Sequence, residues 1–311
     1  MKVLVTGGSG FIGEYVCRKL HYLGHDPIIF DHYYDGPDSL AFKLGRPFHI
    51  GDVRDRVAVT EAIAHVDAVI HLAAVLGSAE TVANPMPAIH TNIFGAVNVM
   101  EACVQYDIPM TMTTVGNGWM RSDGAGTYTI VKECAADLAQ MYRNYRDLRC
   151  NVVRPMNAYG PGQKAPHPWG TSKVRKIMPS FICRALSGLP VQVYGDGEQI
   201  SDMVYVEDVA DLMIQAMEHA DQGLLHPIAE IGPAESMTVQ QLATAVVVEA
   251  ANYTGRSCGI ENIPMRDGEK PGVTAADHST LAPYNIKLTP FDVGLADTMY
   301  HYYQQLQARE Q

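Results

Sequence analysis

The sequence predicts an α/β protein: a doubly wound parallel sheet with a smaller C-terminal domain attached. Three observations carry that prediction. Strand-like runs alternate with amphipathic helical stretches from the first residues to about Pro155. Those runs are almost wholly apolar instead of alternating, as in strands covered by helices on both faces. The first run also breaks directly into glycines. At 311 residues the chain can bury a sizeable core, yet it is longer than one small domain.

KVLVT is the first strand, and a helical stretch from Phe11 to Leu23 is stopped by Gly24. PIIFD, PFHI, AVIHLAA, PMTMTT and CNVVRP are the next five strands, with Pro85 to Tyr106 and Tyr128 to Tyr145 as the longest helix candidates. After Pro155 the composition shifts to Pro and Gly punctuation (AYGPGQKAPHPWG), then a helix near Met178 to Ser187, then VQVYGDGEQISDMVYVEDVADLMIQAM. Residues 1–155 are therefore expected to form the dinucleotide-binding (Rossmann) domain. Residues 203–231 should return to it, because Met203 to Met217 reads as a strand and helix rejoining the sheet and HPIAEIG as a further strand. Residues 156–202 and 232–311 should be mainly the substrate-binding domain.

A strand that stops at Thr6 and restarts as a helix near Phe11 aims unpaired N–H groups, those of Phe11 and Ile12 among them, and the positive end of the helix dipole at one spot. A pyrophosphate suits that spot. Gly7 allows the tight turn, Gly10 leaves the backbone bare toward the phosphates, and Gly13 lets the helix lie close on its strand. An acidic residue about 20 positions on should close the second strand, and Asp31 does. Its carboxylate accepts from ribose hydroxyls and repels a 2′-phosphate, while His32, Tyr33 and Tyr34 bring no fixed cation, so the expected cofactor is NAD and not NADP.

Tyr128 and Lys132 stand four apart near the start of a helix pattern, on one face. An ammonium beside a phenol favours the phenolate, which makes Tyr128 a candidate general base. Thr113 and Thr114 end a strand at the C-terminal edge of the sheet, where open α/β sheets place ligands, and a hydroxyl there can steady an oxyanion or pass a proton.

Other classes are disfavoured. A net charge of −11 argues against nucleic acid or an anionic membrane as the main partner. The six cysteines are scattered without a C-x-x-C pair and fit reduced, buried thiols of a cytoplasmic protein. Val3 to Val5 is too short for a secretory apolar region, and there is no apolar run of about 18 residues to span a membrane. The twelve histidines show no metal-ligand spacing, so no metal is expected; His71, inside an apolar strand, reads as a core histidine, and His167 and Trp169 as part of a surface loop.

TGGSGFIG, GDVRD (Gly51 to Asp55), HLAA (His71 to Ala74), NIFGAVNVMEA (Asn92 to Ala102), the Thr114/Tyr128/Lys132 trio, RPMNAYGPG (Arg154 to Gly162), YGDGEQISDMVYVEDVAD and MRDGE span nearly the whole chain. Together they resemble the extended short-chain dehydrogenase/reductases of the NAD-dependent sugar epimerase/dehydratase family. The resemblance implies that Asp52 and Val53 line the adenine, that Leu72, Ala73 and Ala74 line the centre of the cofactor, and that Asn92 and Pro155 belong to the same site. It places Thr114, Tyr128 and Lys132 at the reaction centre and Asn157 and Arg266 on the diphosphate of a nucleotide-sugar substrate. The implied reaction is epimerisation at C4 through a transient 4-keto sugar, in a homodimer joined by a four-helix bundle built from the two long helices. Net oxidation or reduction of a sugar or other alcohol is the alternative.

Departures from the family pattern bear on the substrate. Val115 and Gly116 stand where 4,6-dehydratases carry an Asp-Glu pair, and neither can move a proton, which disfavours dehydration. Ser201 stands where the usual phosphate-binding arginine would be, so the phosphate grip is expected to be weaker or supplied by another residue such as Lys173, Arg175 or Lys176. The interval from Thr114 to Tyr128, with Asn117, Trp119 and Arg121, is short, and the small residues Val273 and Thr274 could admit a 2-acetamido group.

Overall fold

The computed structural model describes residues 1–33, 43–116, 118, 124–265 and 272–310. Seven strands form one sheet: β1 (Lys2–Thr6), β2 (Asp26–Asp31), β3 (Phe48–Ile50), β4 (Ala68–His71), β5 (Met110–Thr113), β6 (Cys150–Pro155) and a last strand, Ala229–Ile231. Their order is Ala229–Ile231, β6, β5, β4, β1, β2, β3, and every neighbouring pair is parallel. Each of the six predicted strands is present, and HPIAEIG supplies the seventh. The winding reverses between β1 and β4, where Thr6 lies in register with His71. A doubly wound sheet offers its ligand crevice at the C-terminal ends of such a pair.

Burial explains the unbroken apolar runs. All four residues of β4 and of β5 are buried, as are Val3, Leu4 and Val5 of β1. Below the sheet, Leu4, Val69, Met110 and Val152 join Val99, Met100 and Cys103 of one helix (Ala96–Tyr106) and Ala135 and Ala139 of another (Thr127–Tyr145) in a single core. Each large apolar side chain so buried contributes about 1.5–3 kcal/mol.

The stretch from Pro85 to Tyr106 is not one α-helix. A turn at Met86–Ala88 leads into a π-helical segment, Ile89–Gly95, before the α-helix Ala96–Tyr106. The wider turn carries Gly95 so close to Val53 that a Cβ there would sit 2.6 Å from Val53 Cγ2.

The chain divides into two compact units, Met1–Pro155 with Val206–Ile231 and Asp277–Ile286, and Met156–Tyr205 with Gly232–Ala276 and Lys287–Gln311. The predicted strand at Met203 does not rejoin the large sheet. Met203–Tyr205 pairs in parallel with Asn157–Tyr159, its register fixed where Asn157 N–H donates to the Asp202 carbonyl at 3.0 Å, and only the helix after it, Val206–Asp221, belongs to the first unit. Within the second unit, Ile260–Ile263 pairs with Val191–Tyr194 and Val273–Thr274 with Ile200–Ser201. Its core gathers Met178, Ile182, Leu242, Val246, Met299 and Tyr302.

Gly13 and Gly24 separate steric from conformational demands. A Cβ at Gly13 would overlap the Gly7 carbonyl oxygen, which is backbone and cannot yield, whereas one at Gly24 meets no atom within 4 Å and suffers only from φ +83°. Gly13→Ala is expected to cost roughly 3 kcal/mol and Gly24→Ala about 1 kcal/mol in urea unfolding. Equal losses would show that the turn tolerates the methyl group.

Candidate active site

The glycine turn is built by exclusion. Gly7, at φ +71°, lies against the chain leaving β4, where a Cβ would come 2.7 Å from the Ala73 nitrogen and 2.8 Å from the Leu72 carbonyl carbon. Leu72 N–H donates to the Thr6 carbonyl and Gly10 N–H to the Gly7 carbonyl, both at 2.9 Å, so the turn is fixed from two sides. Gly10 is exposed and N-caps the helix Phe11–Tyr22, whose N-terminus receives no side-chain cap. Phe11 and Ile12 occupy its first turn, partly buried.

Asp31 ends β2 beside this turn and is buried. Ser9 N–H donates to its Oδ2 at 3.1 Å, and Tyr33 N–H to its Oδ1 at 3.2 Å; the exposed His32 ring lies 3.3 Å from the same oxygen. Asp52 is gripped by the Arg54 guanidinium, with Nε 2.9 Å from each carboxylate oxygen, and this pairing lowers its pKa below the ordinary carboxylate value. Val53 is buried, and its carbonyl accepts from Asn98 Nδ2 at 2.9 Å. Leu72, Ala73 and Ala74 come after β4, partly buried along the glycine turn. Asn92 is buried in the π-helical segment, with both ends of its amide on the Val75 backbone: Oδ1 accepts from Val75 N–H at 2.8 Å and Nδ2 donates to its carbonyl at 3.0 Å. Its side chain thus holds the segment after β4 in place. Pro155 closes β6, buried and in register with Ile231.

Thr113 and Thr114 stand at the end of β5, both buried. Lys132, only 5 % exposed, donates from Nζ to Thr113 Oγ1 at 3.3 Å. Burial pushes the Lys132 ammonium down to about 8, against an opposing pull from Glu133. Tyr128 lies one turn earlier in the same helix, and burial of its phenol pushes it up to about 12. Desolvation is the cause of that rise, and the expected depression by Lys132 is not seen in the chain by itself. His71, at the end of β4, has its Nδ1 2.7 Å from Thr6 Oγ1. Burial first, then the charge of Lys132, pushes it down to about 3, so it is a neutral core histidine.

One group of residues escaped sequence reasoning. Glu133 Oε1 accepts from Thr114 Oγ1 at 2.5 Å, and its Oε2 lies 3.1 Å from Arg154 Nη2. Arg154 Nη1 donates to the Val115 carbonyl at 3.0 Å, and its Nε lies 3.2 Å from Glu230 Oε1. A charged residue in the buried stripe of a helix (Glu133) and one in an apolar strand (Arg154) were the available signal, since such groups are rarely buried unpaired.

In the second unit, Asn157 Nδ2 donates to Ser201 Oγ at 3.0 Å and to the Asp202 carbonyl at 3.2 Å. Lys173 and Arg175 are exposed, and Arg175 Nη1 reaches Tyr194 OH at 3.4 Å. Trp169 Nε1 donates to Ser187 Oγ at 2.8 Å. Arg266, Tyr34, Asn117, Trp119 and Arg121 lie outside the described residues. Among the described residues no helix is long and apolar enough to cross a membrane.

A model of the NAD dependent epimerase/dehydratase family matches residues 3–232. The chain belongs to that family. The low-salt glycan biosynthesis protein Agl12 of Haloferax volcanii is 31% identical over 246 residues, covering 73% of this chain and 76% of that protein. A UDP-N-acetyl-alpha-D-glucosaminuronate decarboxylase of Bacillus cytotoxicus is 29% identical, covering 88% and 89%. Among solved structures, the UDP-glucose 4-epimerase of Thermus thermophilus in complex with NAD superposes with a TM-score of 0.79 at 26% identity, covering 97% of this chain and 99% of that one.

As a member of this family the chain is an NAD-dependent enzyme. Its own residues fit that cofactor. The Gly7 turn has no room for a side chain, the helix after it has no side-chain cap, and the buried Asp31 carboxylate stands beside the turn, accepting from Ser9 N–H.

The Lys132 shift sets a pH dependence of stability. Below pH 8 both folded and unfolded chains carry the ammonium, and the cost of burying it is fully present. As pH rises from about 8 toward 10.5 the folded form loses the proton first, so this group's contribution to stability rises. Lys132→Met is therefore expected to exceed the wild type by roughly 1–3 kcal/mol at neutral pH, with the gap narrowing through that window. Urea unfolding of both proteins at pH 7, 8.5 and 10 checks it; a gap independent of pH contradicts it.

Proposed function

We propose that this chain is a nucleotide-sugar epimerase that inverts C4 through a transient 4-keto sugar and keeps NAD bound through the cycle. One observation carries the reading: a buried lysine anchored to a strand-end threonine, with a tyrosine one turn before it, beside residues 115 and 116 that can move no proton. NAD, when bound, supplies reversible two-electron oxidation of the sugar carbon. Tyr128 takes the proton from the C4 hydroxyl at its phenolic oxygen and later returns it, and the Lys132 ammonium favours the phenolate. Because burial holds that phenol near 12, its deprotonation depends on positive charge close by. Val115 and Gly116 offer no acid or base for expelling water, which favours epimerisation over dehydration.

In this reading residues 1–155 with 206–231 serve the cofactor, through Gly7, Gly10, Phe11, Ile12, Gly13, Asp31, His32, Asp52, Val53, Leu72, Ala73, Ala74, Asn92, Tyr128, Lys132 and Pro155. Residues 156–205, 232–276 and 287–311 serve mainly the substrate, with Asn157 and Arg266 on its nucleotide diphosphate. The UDP-sugar relatives support that substrate class. We also propose a cytoplasmic homodimer joined through Ala96–Tyr106 and Thr127–Tyr145, on which Tyr106, Ile130, Met141 and Tyr145 are exposed.

Incubation with a panel of UDP-hexoses, hexosamines and uronates, followed by NMR, should show exchange of C4 configuration without accumulation of NADH. Tyr128→Phe should lower kcat by about 10²–10⁴-fold. A lasting rise in NADH absorbance would mark net oxidation instead, and no exchange with any sugar would overturn the reading.

A further inference from the structure

We propose that His219, His226 and Tyr284 form an acid-sensitive latch, which holds the segment Asp277–Ile286 over one edge of the seven-stranded sheet and releases it when both imidazoles are protonated. None of the three belongs to the residues assigned to NAD or the sugar, so the latch stands or falls independently of the epimerase reading. Asp277–Ile286 is the only stretch beyond Ile231 that belongs to the first unit. It meets that unit at the edge strand Ala229–Ile231, where Glu230 N–H donates to Thr280 Oγ1 at 2.8 Å and Asp277 N–H donates to Glu230 Oε2 at 3.0 Å. Farther along, Asn285 exchanges two hydrogen bonds with the Gln215 side chain: its N–H donates to Oε1 at 2.9 Å and its carbonyl accepts from Nε2 at 3.1 Å. An uncovered edge strand invites pairing with another chain, and this segment gives the Glu230 N–H a partner.

Tyr284 is the one buried residue of the segment. Its ring stacks on His219, with centroids 4.9 Å and planes 15° apart, and meets His226 edge-on at 5.3 Å and 71°. The buried Tyr284 hydroxyl has no hydrogen-bond partner among the described residues, so its side chain is held by ring contact. The two imidazoles in turn hold each other, His219 Nδ1 lying 3.0 Å from His226 Nε2.

That contact has room for one proton. The pair can be neutral, or carry one charge on an outward nitrogen, with a single hydrogen between the rings. With a proton on both facing nitrogens, two donors point at each other and the contact opens. The backbone of His226 is fixed from two sides: its N–H donates to Asn151 Oδ1 at 2.9 Å, and its carbonyl accepts from Arg143 Nη1 at 2.7 Å. The groups that face the pair do not favour added charge. They are Arg143 from the helix Thr127–Tyr145, the phenol of Tyr284, and each ring to the other. Glu218 and Asp221, on the helix that carries His219, turn to His25 at 3.6 Å and Arg149 at 3.9 Å. Burial first, then His219 and Arg143, lower the pKa of His226. Once the latch opens, both rings are free to take a proton near the ordinary histidine value of about 6.5, so acid favours the open form.

Amide hydrogen exchange on the full chain, read by NMR from pH 7.5 to pH 5 and corrected for intrinsic rates, tests the latch. In the wild type, protection of the Glu230, Asp277 and Asn285 amides should fall about tenfold per pH unit below about pH 6.5, one proton being taken up on opening. Amides of β1 and β4 should keep their protection. His226→Gln can still accept from His219 Nδ1 but takes no proton, and it should flatten that slope. Tyr284→Ala should leave the three amides poorly protected at every pH, with β1 and β4 unaffected. Circular dichroism at pH 7.5 confirms that the variants fold, and the wild-type slope decides the matter should one fail to. Protection of the segment that is independent of pH overturns the proposal. So does a wild-type slope in folded His226→Gln, or loss of protection in β1 and β4 in step with the segment.

Discussion

The close contact between the glycine turn after β1 and the backbone leaving β4 is the constraint on which the first unit depends. Gly7 admits no Cβ because Leu72 and Ala73 already occupy that space. The contact exists because β1 and β4 are parallel neighbours at the point where the winding reverses. The same turn carries glycine at the N-cap of the helix Phe11–Tyr22, so no side chain covers that N-terminus, and it brings Ser9 N–H onto Asp31. An anion-binding turn needs bare, oriented N–H groups, and here they are oriented by packing and not by side-chain capping.

Around β5 a second principle operates: charge is buried in pairs that divide the work. Lys132 is nearly inaccessible and partly stripped of its preference for the proton, while Glu133 and Arg154 satisfy each other a residue away. Buried ion pairs contribute little net stability, because desolvation offsets attraction, but losing one partner is costly. Their value here is orientation. Arg154, anchored at both Glu133 and Glu230, joins β6, the helix Thr127–Tyr145 and the strand Ala229–Ile231 within the first unit. Thr113 and Thr114 thereby present hydroxyls with opposite hydrogen-bond duties from consecutive positions.

Much of the fold was legible in the sequence because strands buried on both faces leave unbroken apolar runs, as in AVIH and MTMT, and because Gly24 marks a helix end. The strand at Met203 was read as a strand but assigned the wrong partner, since local pattern does not encode which neighbour a strand of three residues will choose. The π-helical segment was invisible for a related reason: one extra residue in a turn does not disturb an apolar stripe enough to register. The glycines, Asp31 and the Tyr128/Lys132 spacing could be read from residue type and interval alone. Glu133, Arg154 and Glu230 could not, because their meaning is a three-way contact across 97 residues of chain.

The π-helical segment has a consequence for how this family member can vary. Each residue added to a helix turns the rest of it by about 100°, so the surplus residue in Ile89–Gly95 fixes the angular phase of Ala96–Tyr106 as well as the place of Asn92. Removing it would swing Val99, Met100 and Cys103 out of the core while also pulling the Asn92 amide off Val75. The residue count of this segment therefore matters more to the core than the identity of its exposed side chains.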